Sequence, residues 1–244
     1  MNLLERLQKA VYQTLIQGDR WRFYATGFLN TLRMASIACI IGIAIGTMVA
    51  LVKVAHASSQ KAPARSNLAP LLGAANWLAN LYTTITRGTP VLLQLLIIYF
   101  VVFATAPPSS AVYIASLAFG VNSGAYVSEI IRAGIQSLDK GQTEAGRSLG
   151  LSQGQTMRLI VLPQAIRNIL PTLFNEFIAL LKETSVAGYI AIDEITRAGD
   201  VVRSRTYGFA PLFVSAFLYL SLVIALTKVQ AVLERRFGAN DSRA

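Results

Sequence analysis

Long apolar runs separated by short polar segments dominate the chain. Residues 34–52 carry no charged side chain, and a helix of that length covers about 30 Å of hydrocarbon. Residues 91–106 and 111–128 are equally free of charge, and 211–233 contain a single lysine. The pattern therefore predicts an all-α integral membrane protein.

Two further segments are helical in pattern but too polar for helices surrounded by lipid. Residues 66–86 contain three asparagines, and we expect a helix packed on protein that continues into 91–106 as one element kinked at Pro90. Residues 164–192 carry several charged groups and are expected inside the bundle. About five transmembrane helices result.

The charged loops set the expected orientation. Residues 53–67 carry Lys53, Lys61 and Arg65 without an acidic partner, which is typical of a cytoplasmic loop. Five spans place the N-terminus outside, and six spans with the N-terminus inside are the alternative. The expected organisation is an amphipathic segment at 1–24, a transmembrane domain at 25–236 and a cytoplasmic tail at 237–244.

A polar hairpin interrupts the apolar pattern at residues 143–163. Thr143 is suited to cap a first helix and Gly150 to end it in the left-handed conformation. Ser152 and Gln155 have the spacing of a capping box, which predicts a second helix up to Leu162, and Pro163 is suited to open the next one.

At this hairpin the chain resembles the membrane-spanning subunit of ATP-binding-cassette (ABC) importers. The family signature is Glu-Ala-Ala, three residues, Gly, nine residues, Ile, one residue, Leu-Pro. One position departs from it, because Gly146 replaces the second alanine and is expected to loosen the first helix by about 0.5–1 kcal/mol. The resemblance implies the type I importer fold, with a cytoplasmic coupling hairpin (143–162) held by a separate ATPase. The implied coupling residues are Glu144, Ala145, Gly150, Leu151, Ile160 and Pro163.

Other segments resemble the polar amino acid permeases of this family. They are the Gly27-x-x-x-Thr31-Leu32 start, the Arg-Gly-Thr-Pro turn at 87–90, the Gly-Ala-Tyr-x-x-Glu-x-x-Arg run at 124–132 and Leu-Lys-Glu-Thr-Ser-Val at 181–186.

Polar side chains within the predicted spans are candidates to line a substrate path, because such groups are costly in lipid. For Glu129, an ion pair with Arg132 is the competing interpretation. For Lys182 and Glu183, it is contact with other subunits or the outer interface. The candidates are Gln94, Asn122, Tyr126, Glu129, Asn175, Glu176, Lys182 and Glu183.

Composition excludes several other functions. The net charge of +10 is dispersed and forms no basic, aromatic-interleaved stripe, so nucleic acid is not an expected partner. A single cysteine and a single histidine exclude a disulfide framework and a protein-only zinc site. Since no phosphate-binding loop occurs, ATP and Mg²⁺ would be bound by a partner ATPase, and this chain would not itself be an enzyme.

The resemblance implies a multi-pass subunit of an importer in the bacterial inner (plasma) membrane. Its expected partners are two ATPase subunits, a second permease copy or a homologous chain, an extracytoplasmic substrate-binding protein, membrane lipid and an amino acid substrate. Extra carboxylates would favour a basic amino acid, while glutamine, glutamate or cystine are alternatives, and selectivity could lie wholly with the binding protein. From other classes, a secondary transporter driven by protons or sodium is the alternative function.

Overall fold

The computed structural model describes residues 2–60 and 69–238, and these residues are almost entirely helical, with no strand among them. Short 3-10 and π-helical turns join several of the helices. In chain order the helices are α1 (Leu3–Val11), α2 (Trp21–Ser59), α3 (Ala69–Gly88), α4 (Val91–Ile97), α5 (Ala111–Gln136), α6 (Lys140–Ser148), α7 (Gln153–Thr156), α8 (Leu162–Glu183), α9 (Ile195–Thr206) and α10 (Ala210–Gly238).

Three of the described helices are long and apolar enough to cross a membrane, namely α2, α5 and α10. The expected break at Pro90 is present, but the helices on either side of it are bent by 108°, and they add a fourth candidate only if the pair is one span. The fifth expected element, α8, is helical but is not among these candidates, in keeping with its polar composition. The all-helical fold class is thereby confirmed.

Some predicted boundaries are wrong. Residues 53–59 are not a loop, because α2 continues to Ser59 and no glycine or proline interrupts it after Val52. The remainder of that predicted loop, from residue 61, lies outside the described residues. Later in the chain, α8 stops at Glu183 and the chain continues as a 3-10 helix, Thr184–Ile190, rather than as one helix to residue 192.

The chain divides into two compact units. The first consists of Met1–Ala38, Val91–Phe119 and Ile178–Val229. Its centre is the buried carboxylate of Glu194, which caps α9 by accepting the backbone N–H groups of Thr196 and Arg197 at 2.6 Å each. The Tyr219 hydroxyl of α10 also donates to it at 3.0 Å. These bonds fix the start of α9 against α10.

Gly27 and Thr31 have a packing role in this unit. A Cβ on Gly27 would lie 2.8 Å from the carbonyl carbon and oxygen of Glu194, so only glycine allows α2 to approach that backbone. One turn later the buried Thr31 hydroxyl accepts from the backbone N–H of Ile195. The Gly-x-x-x-Thr spacing thus allows α2 to pack against the N-terminal end of α9, which Glu194 caps.

The second unit consists of Cys39–Pro90, Gly120–Phe177 and Gln230–Ala244. Here the small residues of α2 contact α5 closely, because a Cβ on Gly46 would lie 2.5 Å from Cγ1 of Val127. Two turns further along α5, a Cβ on Gly134 would collide with Cγ1 of Ile169 in α8. Glycine therefore permits close packing of α5 against both neighbours.

Candidate functional site

The hairpin is built from α6 and α7, joined by a glycine turn. Asp139, not Thr143, caps α6, because the Asp139 carboxylate accepts from the backbone N–H of Gly141 at 2.8 Å. The expectation for Gly150 is confirmed, since its φ is +82°. The N–H groups of Gly150 and Leu151 donate to the carbonyls of Arg147 and Gly146, which is a Schellman ending.

Gly146 has a packing role that a comparison with the family signature does not suggest. It is buried within α6, and a Cβ there would lie 2.7 Å from Cγ2 of Thr156 and 2.9 Å from Cδ1 of Ile160. Glycine at this position disfavours the helix, but its missing side chain allows a close contact between the two arms of the hairpin.

The second arm begins as expected but does not end as expected. Ser152 and Gln155 form the reciprocal capping box, with distances of 2.8 and 3.3 Å. The helix then runs through a π-helical turn, Met157–Val161, directly into α8. Pro163 is the second residue of α8, and because the helical turns continue through it, it does not separate two helices.

The coupling candidates divide by exposure. Glu144 and Ala145 are exposed on α6, and Leu149 beside the turn is 80% exposed. In contrast, Leu151 and Ile160 are half-buried. The hairpin therefore exposes Glu144, Ala145 and Leu149, while the side chains of Leu151 and Ile160 are partly covered.

A pocket of ≈ 450 Å³ opens in the second unit between α3, α5 and α8. It combines two carboxylates and a guanidinium with apolar walls. Its lining residues are Arg87, Tyr126, Glu129, Ile130, Ala133, Gly134, Ser137, Asn168, Thr172 and Glu176.

Each carboxylate oxygen of Glu129 pairs with a cation. Its Oε1 is 2.7 Å from Nζ of Lys53, and its Oε2 is 2.7 Å from Nη2 of Arg132. Lys53 is buried and also donates to the Thr83 hydroxyl at 3.0 Å. The predicted Glu129–Arg132 pair is therefore present, and the expectation that Lys53 lacks an acidic partner is wrong.

Glu176 has a different environment from Glu129. Its Oε1 accepts from the Ser123 hydroxyl at 2.9 Å, and no cation in the described part of the chain pairs with it. On the same pocket the Arg87 guanidinium lies 5.4 Å from the centre of the Tyr126 ring. The pocket thus offers a carboxylate and an aromatic-supported guanidinium, the two groups that a zwitterion needs.

The structure brings only some of the predicted path residues together. Tyr126, Glu129 and Glu176 line this pocket. Asn122 is buried one turn before Tyr126, whereas Asn175 is exposed. Three other candidates belong to the first unit and do not line the pocket: Gln94, Lys182 and Glu183.

Arg87 lines the pocket and Lys53 pairs with its Glu129 carboxylate, but the sequence predicted neither as a path residue. Lys53 follows Gly46 by seven residues and therefore shares its helix face, a spacing that indicates contact with α5. Arg87 stands before the glycine of a predicted turn, and no sequence signal placed its side chain over an aromatic ring.

Comparison with known proteins identifies the family of the chain. The chain belongs to a family of membrane subunits of transporters. Specifically, residues 69–239 match the family described as "Binding-protein-dependent transport system inner membrane component". The chain is thus a permease subunit of the bacterial inner membrane and is not itself an enzyme.

Individual relatives confirm the expected resemblance to amino acid permeases. The chain is 38% identical over 220 residues to the putative glutamine transport system permease protein GlnP of Rickettsia felis, covering 89% of this chain and 94% of that one. It is 36% identical over 221 residues to the arginine transport system permease protein ArtQ of Bacillus subtilis, with 90% and 94% covered. A crystal structure of an amino acid ABC transporter with histidines matches with a TM-score of 0.76 and 35% identity, covering 97% of this chain and 99% of that chain.

Proposed function

We propose that this permease imports a polar amino acid and that a separate ATPase, which binds the α6–α7 hairpin, powers the import. The observation that carries the proposal is the pocket in which Arg87 and Glu176 present opposite charges without pairing with each other. Arg87 would bind the substrate carboxylate and Glu176 its ammonium. Relatives named for glutamine and arginine transport support this substrate class.

The charge count within the pocket favours a neutral side chain on the substrate. Both oxygens of Glu129 are occupied by Lys53 and Arg132, so Glu176 is the carboxylate available to a ligand. If Glu176 binds the ammonium group, a basic side chain finds no second acid in the pocket. Glutamine would therefore be preferred over arginine or histidine.

For coupling, we propose two ATPase subunits, a second permease copy or homologous chain, and an extracytoplasmic binding protein. ATP and Mg²⁺ would be held by the ATPase. Closure of the ATPases would move the hairpin, and the continuous path from α7 into α8 would transmit the movement to Asn168, Thr172 and Glu176.

The coupling role is tested in proteoliposomes that contain the permease and its ATPase, with binding protein outside and ATP inside. Glu144→Lys and Gly150→Ala should each leave ATP hydrolysis in place but lower uptake by about tenfold or more. Gly154→Ala is a matched control, since a Cβ at either glycine meets open space but only Gly150 has positive φ. Wild-type uptake in both hairpin variants would contradict the coupling role.

The substrate proposal is tested by competition in the same vesicles. Unlabelled glutamine should compete with labelled glutamine more strongly than arginine or histidine does. Stronger competition by arginine would assign Glu176 to a basic side chain instead. Uptake driven by a proton or sodium gradient without ATP would overturn the importer proposal.

A further inference from the structure

A second, smaller cavity lies between α8 and the end of α10 in the second unit. Its volume is ≈ 190 Å³, and most of its wall is apolar. The lining residues are Leu170, Pro171, Phe174, Gln230, Leu233 and Glu234. We call it the α8–α10 groove, and the amino acid pocket shares none of its residues.

Gln230 is the unusual member of this groove. It is only 7% exposed, and its Nε2 donates to Oε1 of Glu234 at 2.9 Å. Its own Oε1 is buried and has no hydrogen-bond partner among the described residues. Because an unsatisfied buried acceptor is rare and costly, this carbonyl indicates a donor supplied from outside the chain.

The position and charge of the groove restrict the identity of that donor. Gln230 and Glu234 lie near the C-terminal end of α10, a candidate membrane-spanning helix, and lipid headgroups are expected beside such an end. A neutral acceptor beside a carboxylate favours a ligand that is positively charged and carries N–H donors. Phe174 and Leu233 suit a hydrocarbon chain.

We propose that the α8–α10 groove binds a phospholipid with a primary ammonium headgroup, of the phosphatidylethanolamine type. The ammonium donates to Oε1 of Gln230 and to the Glu234 carboxylate, and an acyl chain lies along Phe174 and Leu233. The inference does not depend on which solute the permease moves.

The first test uses the wild-type chain, purified with the subunits that accompany it, and needs no mutation. The protein is placed in nanodiscs of mixed phosphatidylethanolamine, phosphatidylcholine and phosphatidylglycerol, and retained lipid is counted by native mass spectrometry. We expect phosphatidylethanolamine to be retained about tenfold over phosphatidylcholine, which has no N–H donor. Equal retention of these two lipids would overturn the proposal, and so would a preference for phosphatidylglycerol.

The second test removes the acceptor. Gln230→Leu keeps the volume but deletes the carbonyl, and the preference for phosphatidylethanolamine over phosphatidylcholine should disappear. Val229→Leu, at a neighbouring half-exposed position, is the matched control and should retain the wild-type preference. An undiminished preference in Gln230→Leu would refute the site. Efficient crosslinking of Phe174→Cys to another protein subunit would also refute it, since protein rather than lipid would then cover the groove.

Discussion

Glu194 in the first unit and Glu176 in the second are both carboxylates withdrawn from solvent, but their surroundings differ. Glu194 is completely buried and receives three hydrogen bonds, from two backbone N–H groups and Tyr219. Glu176 receives one hydrogen bond, from Ser123, and faces a pocket. Burial alone therefore does not indicate a transport role, and the number of donors already supplied by the protein is the better guide.

The largest effect on stability is expected at Glu194. Glu194→Ala removes the α9 cap and leaves the Tyr219 hydroxyl without its acceptor, so the free energy of unfolding should fall by about 3 kcal/mol. Thermal unfolding of the detergent-purified protein measures this change. Asp200→Ala, which removes an exposed ion pair with Arg203 in the same unit, is the control and should cost at most about 0.5 kcal/mol. Equal losses in the two variants would mean that Glu194 is not a structural centre.

An intermediate effect on the free energy of unfolding is expected at Lys53. Its ion pair helps to satisfy the Glu129 carboxylate within the protein, and in this respect Glu129 resembles Glu194 rather than Glu176. Lys53→Met removes one of the two cations on a half-buried carboxylate and should lower the free energy of unfolding by about 2 kcal/mol. Glu129→Gln removes the carboxylate that Lys53→Met leaves with a single cation, so the double variant should lose less than the sum of the single losses. Additive losses would contradict the paired state of Glu129 and restore it as a candidate ligand for substrate.

Much of the fold followed from the sequence because its signals are local. The apolar runs predicted the long helices, Gly150 predicted the end of α6, and Ser152 with Gln155 predicted the capping box, since each depends only on neighbouring residues.

The site was less predictable because its residues come from separate helices. Lys53 was assigned to a loop since its acidic partner, Glu129, is 76 positions away in the chain. The sequence marks Glu129 and Glu176 alike, as acids in apolar surroundings. The i,i+3 spacing predicted Arg132 as a partner of Glu129, but only the fold adds Lys53 to Glu129 and gives Glu176 a hydroxyl partner.

The smallest effect on stability, and the clearest effect on transport, is expected at Glu176. The amide oxygen in Glu176→Gln can still accept from Ser123, so the free energy of unfolding should change by at most about 0.5 kcal/mol. The amide cannot pair with an ammonium group, however, and uptake at low substrate concentration should fall by about tenfold or more. Binding-protein-dependent uptake and thermal unfolding are measured on the same preparation, with Glu194→Gln alongside. If Glu176→Gln lowered stability as much as Glu194→Gln while transport per folded molecule stayed normal, Glu176 would be a structural carboxylate like Glu194, and the pocket would lose its ligand for the substrate amine.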